Sequence, residues 1–283
     1  KAALPYSLTD AQTRVVREIL RDQKSLFPMN RLVQGDVGSG KTVVALIAIF
    51  NVVKCGYQAT LMVPTEILAN QHYQEAKKLL EPAKEKRRIK ELITTDMPMV
   101  VIGTHALIQE DVDFKNLGLV VTDEQHRFGV EQRNRLINKG RRPDVLVMTA
   151  TPIPRTLALY VYSDLDISVI DKLPPGRKPV KTEFYNGGDR MMAYDLALDE
   201  IRKGRQVYIV CPLIEEDEKL SLNSVEKLYD ELKDGVFRGI NIEILHGKMK
   251  PKEKDEIINR FKRDETKVII STTVIEVGVN VPN

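Results

Sequence analysis

Short apolar runs rich in valine and isoleucine recur along the first half of the chain, at residues 31–34, 59–63, 100–102, 117–122 and 145–148. Each is too short for a helix, and helical stretches separate them, so the pattern predicts strands alternating with helices in a parallel sheet covered on both faces. Between the first two runs, residues 41–54 carry Val43, Val44, Leu46, Ile47, Ile49, Phe50, Val52 and Val53 on nearly all sides, which predicts a buried helix. After a break the alternation resumes, with strands expected at 206–211, 240–245 and 268–271 and helices at 191–203, 224–233 and 252–263.

The break is residues 171–179, where three prolines, a glycine and several charges disfavour a helix and a central strand alike. The expected organisation is therefore a first lobe over residues 1–170, a linker over 171–183 and a second lobe over 184–283. Two domains suit a length of 283 residues. With 42% hydrophobic and 29% charged residues the composition is that of a globular protein. A net charge of +3 is too small to announce a polyanionic partner, so any case for nucleic acid rests on local motifs. The longest apolar stretch, residues 43–53, falls short of the roughly 18 to 20 residues that span a membrane. The start lacks the apolar core of a secretory signal, and two cysteines do not make a disulfide framework, so a cytoplasmic location is expected.

Chemistry enters where the first strand ends. Gly35, Asp36, Val37, Gly38, Ser39, Gly40, Lys41 and Thr42 fit the phosphate-loop pattern G-x-x-x-x-G-K-[ST], placed between an expected strand and an expected helix. Glycines let the backbone curl so that successive N–H groups face phosphate oxygens, and the helix N-terminus adds partial positive charge. Lys41 is suited to the β- and γ-phosphates of ATP, and the Thr42 hydroxyl to Mg²⁺. The alternative is a glycine-rich turn that precedes a helix. Downstream, Asp123 and Glu124 stand at the C-terminal end of an expected buried strand, where open α/β sheets bind ligands. Adjacent carboxylates make sense beside a cation, with Asp123 in the Mg²⁺ shell and Glu124 deprotonating the attacking water. Acidic residues also favour a first helical turn, the alternative here. Upstream, Thr9 and Gln12 form a capping box, and the Gln12 amide also has the donor and acceptor pattern to read adenine.

Taken in order, residues 9–12, 35–42, 123–126 (DEQH) and 149–152 (TATP) resemble motifs Q, I, II and III of the superfamily 2 helicases. Residues 28–34 (PMNRLVQ), 123–130 (DEQHRFGV), 150–157 (ATPIPRTL) and 173–179 (LPPGRKP) resemble the motor region of the RecG family of branch-migration helicases, over residues 4–283. The transcription-repair coupling translocases share much of this pattern, but Gln125 and residues 173–179 look more like the RecG family. The resemblance implies an α/β fold of two RecA-like lobes with parallel sheets covered by helices, the second incomplete. It implies an ATP- and Mg²⁺-dependent motor acting on DNA, branched or forked, without regard to sequence. It adds His126 to the catalytic set. Pro64 and Thr65 look like motif Ia, and Gly103 and Thr104 like motif Ic, as DNA phosphate contacts. Thr65 and Thr104 also suit helix caps. Thr149 and Thr151 resemble the motif coupling nucleotide state to DNA grip, or a threonine turn. In the second half Thr272 and Thr273 resemble further DNA contacts, Gly278 permits close approach, and His246 reads as structural.

Three departures stand out. Asn280 occupies a place where the family usually has Asp. Residues 80–99 are short for the strand and TGS-type motif expected there. The family's Q-x-x-G-R-x-G-R motif and its N-terminal wedge domain are not found in the sequence, so the expectation is either a fragment or a sequence from which disordered residues are left out. Two rival readings fit the same residues: a phosphate-loop kinase for a small molecule, with a lid and acceptor pocket, and a nucleotide-dependent scaffold without turnover. Glu124 beside Asp123 argues against the second.

Overall fold

A computed structural model describes residues 7–77, 91–124, 128–151, 165–172, 180–211, 218–246 and 249–272. The chain divides into two compact units, residues 1–178 and 179–283. Of the linker expected at 171–183, residues 173–179 lie outside the described residues.

In the first unit the strands are β1 Asn30–Gly35, β2 Gln58–Met62, β3 Val100–Gly103, β4 Leu117–Thr122, β5 Asp144–Thr149 and β6 Asp166–Ile170. They form one parallel sheet in the order β3-β2-β4-β5-β1-β6. The helices are α1 Asp10–Asp22, α2 Lys41–Lys54, α3 Glu66–Lys77 and α4 Val130–Ile137. Successive strand residues point to opposite faces, and the burial follows. Leu61, Val63, Leu119, Val121, Leu146 and Met148 join α1, α2 and α3 in one core. Met62 and Val120 point the other way, into a second core with Phe114 and with Leu136 of α4. Alternate sheet positions thus meet two separate cores. Helix α2 is buried along most of its length, as its apolar perimeter requires.

Strand β6 is the element that the apolar pattern missed. Its inward positions are Ser168 and Ile170, while Val169 is exposed, so the polar residue sits where the pattern asks for an apolar one. The reason is Arg31 on the neighbouring β1. Its side chain is 6% exposed, with Nη2 2.6 Å from Asp22 Oδ2 and Nη1 3.5 Å from Glu18 Oε2 on α1. Nη1 also donates to Ser168 Oγ at 2.7 Å, and that hydroxyl donates to Glu18. A buried guanidinium persists only when its donors are satisfied, and β6 supplies one of the acceptors. Arg14 of α1 adds a hydrogen bond to the Val169 carbonyl at 2.8 Å. These polar contacts fix α1 and β6 to β1, the strand that carries the glycine loop.

The second unit contains β7 Val207–Cys211, β8 Ile242–Leu245 and β9 Val268–Thr272, parallel in the order β7-β9-β8. Its helices are α5 Arg190–Arg202, α6 Glu218–Asp234 and α7 Pro251–Lys262. Val268 and Ile270 pack with Tyr194 of α5 and Val225 and Leu232 of α6. Phe261 of α7 lies against Tyr208, ring centroids 4.7 Å apart. No described helix is long and apolar enough to cross a membrane.

Candidate nucleotide site

Because every strand of the first sheet runs the same way, the loops after β1, β2, β3, β4 and β5 all leave from one edge of the sheet. The edge holds Gly35 through Thr42 after β1, Pro64 and Thr65 after β2, and Gly103 and Thr104 at the end of β3. It also holds Asp123 and Glu124 after β4, and Thr149 and Thr151 at the end of β5. Strand β5 alone separates the strand of the glycine loop from the strand of the two carboxylates.

The glycine loop is closed by its own backbone. Gly38 and Gly40 have φ of 71° and 88°, in the left-handed region that glycine enters without a Cβ penalty. A Cβ on Gly40 would lie 2.3 Å from Gln12 Nε2, and one on Gly35 would lie 2.5 Å from Ser39 Oγ. Ser39 N–H closes a turn on the Asp36 carbonyl at 3.0 Å, and Val37 N–H bonds Asp36 Oδ1 at 2.7 Å. Asp36, Val37 and Gly38 are exposed, Ser39 is buried, and Thr42 is half-buried in the first turn of α2. Lys41 is 8% exposed, and its ammonium donates to the carbonyls of Gly35 at 2.6 Å and Asp36 at 3.0 Å. A cation thus sits beneath a loop of backbone amides at a helix N-terminus, a donor set that fits a polyphosphate. Gln12 takes the capping role and also braces the glycine loop. Its Oε1 accepts Thr9 N–H at 2.9 Å, completing the capping box, while its Nε2 reaches the Ser39 carbonyl at 2.8 Å.

Asp123 N–H bonds the Met62 carbonyl at 2.9 Å, carrying the sheet ladder one residue past β4. Glu124 N–H then turns back onto Asp123 Oδ1 at 3.0 Å, and Glu124 takes φ of 50°, uncommon for a residue with a side chain. Both carboxylates are buried. The sequence reading missed His72 on α3, whose Nε2 lies 3.0 Å from Asp123 Oδ2. Burial opposes a charged imidazole, yet the Asp123 carboxylate and Glu75, 3.9 Å from Nδ1, outweigh it and push His72 up to about 9. A signal was present: His72 sits at helical spacing between Leu68 and Ala76, both buried in the core, so it stands in an inward stripe.

The remaining candidate residues divide plainly. Thr65 Oγ1 accepts Leu68 N–H at 3.3 Å, the contact of a helix cap. Thr104 precedes a 3-10 turn at His105–Ile108 without a side-chain capping bond. Thr149 is buried, Thr151 is exposed, and their hydroxyls lie 2.8 Å apart in a threonine turn. Thr272 ends β9, in the second unit, and is buried beside Ser271, whose hydroxyl donates to the Thr272 carbonyl at 2.8 Å. His246 is half-buried just past β8. Gln125, His126, Thr273, Gly278, Asn280 and the 152–157 segment lie outside the described residues.

Comparison with known proteins gives these features a context. Residues 9–159 match the DEAD/DEAH box helicase family, and residues 190–283 match the helicase conserved C-terminal domain. Relatives described as ATP-dependent DNA helicase RecG include one from Synechocystis sp., 52% identical over 99% of this chain and 35% of its own length. Another from Bacillus subtilis is 49% identical over 99% and 43%, respectively, and one from Streptococcus pneumoniae is 50% identical over 100% and 44%. The chain therefore spans less than half the length of these curated relatives. A solved structure of RecG bound to a three-way DNA junction is similar over 99% of this chain and 38% of that one, at 44% identity and a TM-score of 0.79. The DEAD-box helicase Mss116 bound to single-stranded RNA shares the fold at 18% identity, with a TM-score of 0.68.

Proposed function

The chain belongs to the DEAD/DEAH box helicase family, and from that premise we propose that it is the ATP-hydrolysing motor of a RecG-type DNA helicase, moving on branched or forked DNA in recombination and fork repair. The observation that carries this reading is the arrangement at one sheet edge. A glycine loop with a buried lysine follows β1, and two buried carboxylates follow β4, with one strand between.

In this reading the loop amides and Lys41 hold the phosphates of ATP, and Gln12 sits at the base-selecting position. Thr42 and Asp123 present hard oxygen ligands of the kind magnesium takes. When bound, magnesium neutralises charge that accumulates on the phosphate oxygens during transfer. Lys41 exchanges its two carbonyl contacts for phosphate oxygens, and Glu124 orients the attacking water and takes its proton. His126 completes the motif by resemblance. Thr149 and Thr151 pass the state of the site to the DNA-holding loops, where Pro64, Thr65, Gly103 and Thr104 contact phosphates. Thr272 and Thr273 do the same in the second unit. Thr65 Oγ1 caps α3 as an acceptor, which leaves its O–H as a donor to a DNA phosphate beside the backbone amides of the loop. Contacts of this kind position the protein without reading base sequence. The reading places the protein in the cytoplasm, where ATP and DNA meet.

The test is steady-state ATP hydrolysis by the full-length protein, without DNA and with single-stranded, duplex and forked DNA at one fixed salt concentration. The reading expects stimulation by DNA, largest with forks. Equal turnover with and without DNA, or phosphoryl transfer to a metabolite, would overturn it.

A further inference from the structure

Asp123 is gripped from two sides. The Glu124 N–H occupies Oδ1 at 3.0 Å and the His72 imidazole occupies Oδ2 at 3.0 Å. The two donors come from different parts of the fold. Glu124 is the next residue in the chain, while His72 is 51 positions upstream on α3, the helix that follows β2. Strand β2 pairs with β4 up to Met62 and Thr122, and the Met62 carbonyl accepts Asp123 N–H. Backbone and side chain of Asp123 are therefore both held by the β2–α3 segment. His72 is 3% exposed, buried in the same stripe as Leu68 and Ala76, so its ring has little freedom to leave.

A carboxylate has about four lone-pair sites. The two hydrogen bonds fix the plane and direction of this one while leaving lone pairs on both oxygens. Side chains that orient a metal-holding carboxylate this way determine how well it meets the ion, and their loss typically costs about 10- to 100-fold in metal affinity or activity.

We propose that His72 is a positioning residue for the magnesium of the nucleotide site, acting through Asp123 and without contact to nucleotide or ion. The inference rests on the reading of Asp123 as a magnesium ligand. It requires a donor at the place of Nε2 and does not require a charge there. His72 thereby connects the helix behind the Pro64–Thr65 loop to the metal-holding carboxylate.

The experiment titrates Mg²⁺ into the full-length protein mixed with a fluorescent ATP analogue and reads the midpoint for tight binding, with EDTA as the metal-free arm. Three variants are compared: His72→Leu, which removes the donor; His72→Gln, whose amide nitrogen stands near the place of Nε2; and His72→Asn, whose amide nitrogen stands near Nδ1 and falls short of Asp123. The expected result is a midpoint raised about 10- to 100-fold in His72→Leu and His72→Asn, with His72→Gln close to wild type and all proteins equal in EDTA. Should His72→Leu fail to fold, the Gln and Asn comparison carries the same test. Wild-type midpoints in folded Leu or Asn variants overturn the inference. A Gln variant as impaired as the Asn variant overturns it too, because the role would then not be a hydrogen bond. A wild-type protein whose nucleotide binding ignores Mg²⁺ overturns the reading of the site itself, which is a different outcome.

Discussion

Replacing Gly40 by alanine perturbs the glycine loop in two separable ways. The first is conformational: φ of 88° forces a Cβ into the left-handed region, at about 1–2 kcal/mol. The second is steric, since the new Cβ would lie 2.3 Å from Gln12 Nε2. The amide ends a flexible side chain and will move, but moving breaks its 2.8 Å hydrogen bond to the Ser39 carbonyl, a buried contact worth about 1–1.5 kcal/mol. Strain in the capping bond from Thr9 to Gln12 adds to this. The sum for Gly40→Ala is about 2–4 kcal/mol. In a Gln12→Ala background the obstacle is gone and the hydrogen bond already lost, so only the first cost, about 1–2 kcal/mol, remains. The assay is urea unfolding followed by circular dichroism for wild type, both single variants and the double variant. The transition of the first unit is identified as the one that shifts on adding ATP. A coupling of about 1–2 kcal/mol between the two positions is expected. If Gly40→Ala costs the same in both backgrounds, to within about 0.5 kcal/mol, the packing of Gln12 over the loop has been misread.

The other expected outcomes are more direct. Arg31→Met should destabilise the first unit by about 1.5–3 kcal/mol in the same unfolding assay, because the part-buried Glu18 and Asp22 lose the charged hydrogen bonds of their shared cation. A loss under about 1 kcal/mol, the usual value of an exposed pair, would show that the cluster is solvated. Glu124→Gln should retain ATP binding while single-turnover hydrolysis falls about a hundredfold or more. Collapse of binding with surviving turnover would give Glu124 another role. Lys41→Ala should weaken ATP binding and cut turnover by about two to three orders of magnitude, with unchanged circular dichroism showing that the fold survives.

Where the determinants are local, the sequence reveals them. Helix α2 is legible because its apolar residues surround it, and β4 because an unbroken apolar run of strand length admits little else. The glycine loop is legible because its backbone needs left-handed φ at positions 38 and 40, which only glycine adopts without a Cβ penalty, so the demand shows as residue type. Features made by distant partners are not. Strand β6 escapes because one of its two inward residues is Ser168, whose burial makes sense only once Arg31 and Glu18 are in place. His72 escapes because its partner is in another element, and nothing around it in sequence names Asp123. The start of α6 falls at 218 where the pattern marks 224, and that of β8 at 242 where it marks 240, for a related reason: apolar periodicity marks the packed stretch, whereas hydrogen bonding decides the ends. The threonines show a third limit. Sequence leaves capping and DNA contact open for Thr65 and Thr104 alike, and the geometry separates them, with a capping bond at the first and none from the side chain of the second.

The central claim is that one sheet edge binds Mg²⁺–ATP through the glycine loop and hydrolyses it with the paired carboxylates. Direct calorimetric titration of ATP, with and without Mg²⁺, into wild type, Lys41→Ala and Glu124→Gln tests it in one series, with released phosphate measured on the same samples. The account predicts magnesium-dependent binding by wild type, loss of that binding in Lys41→Ala, and retained binding without phosphate release in Glu124→Gln. Wild-type affinity in a folded Lys41→Ala protein would contradict it.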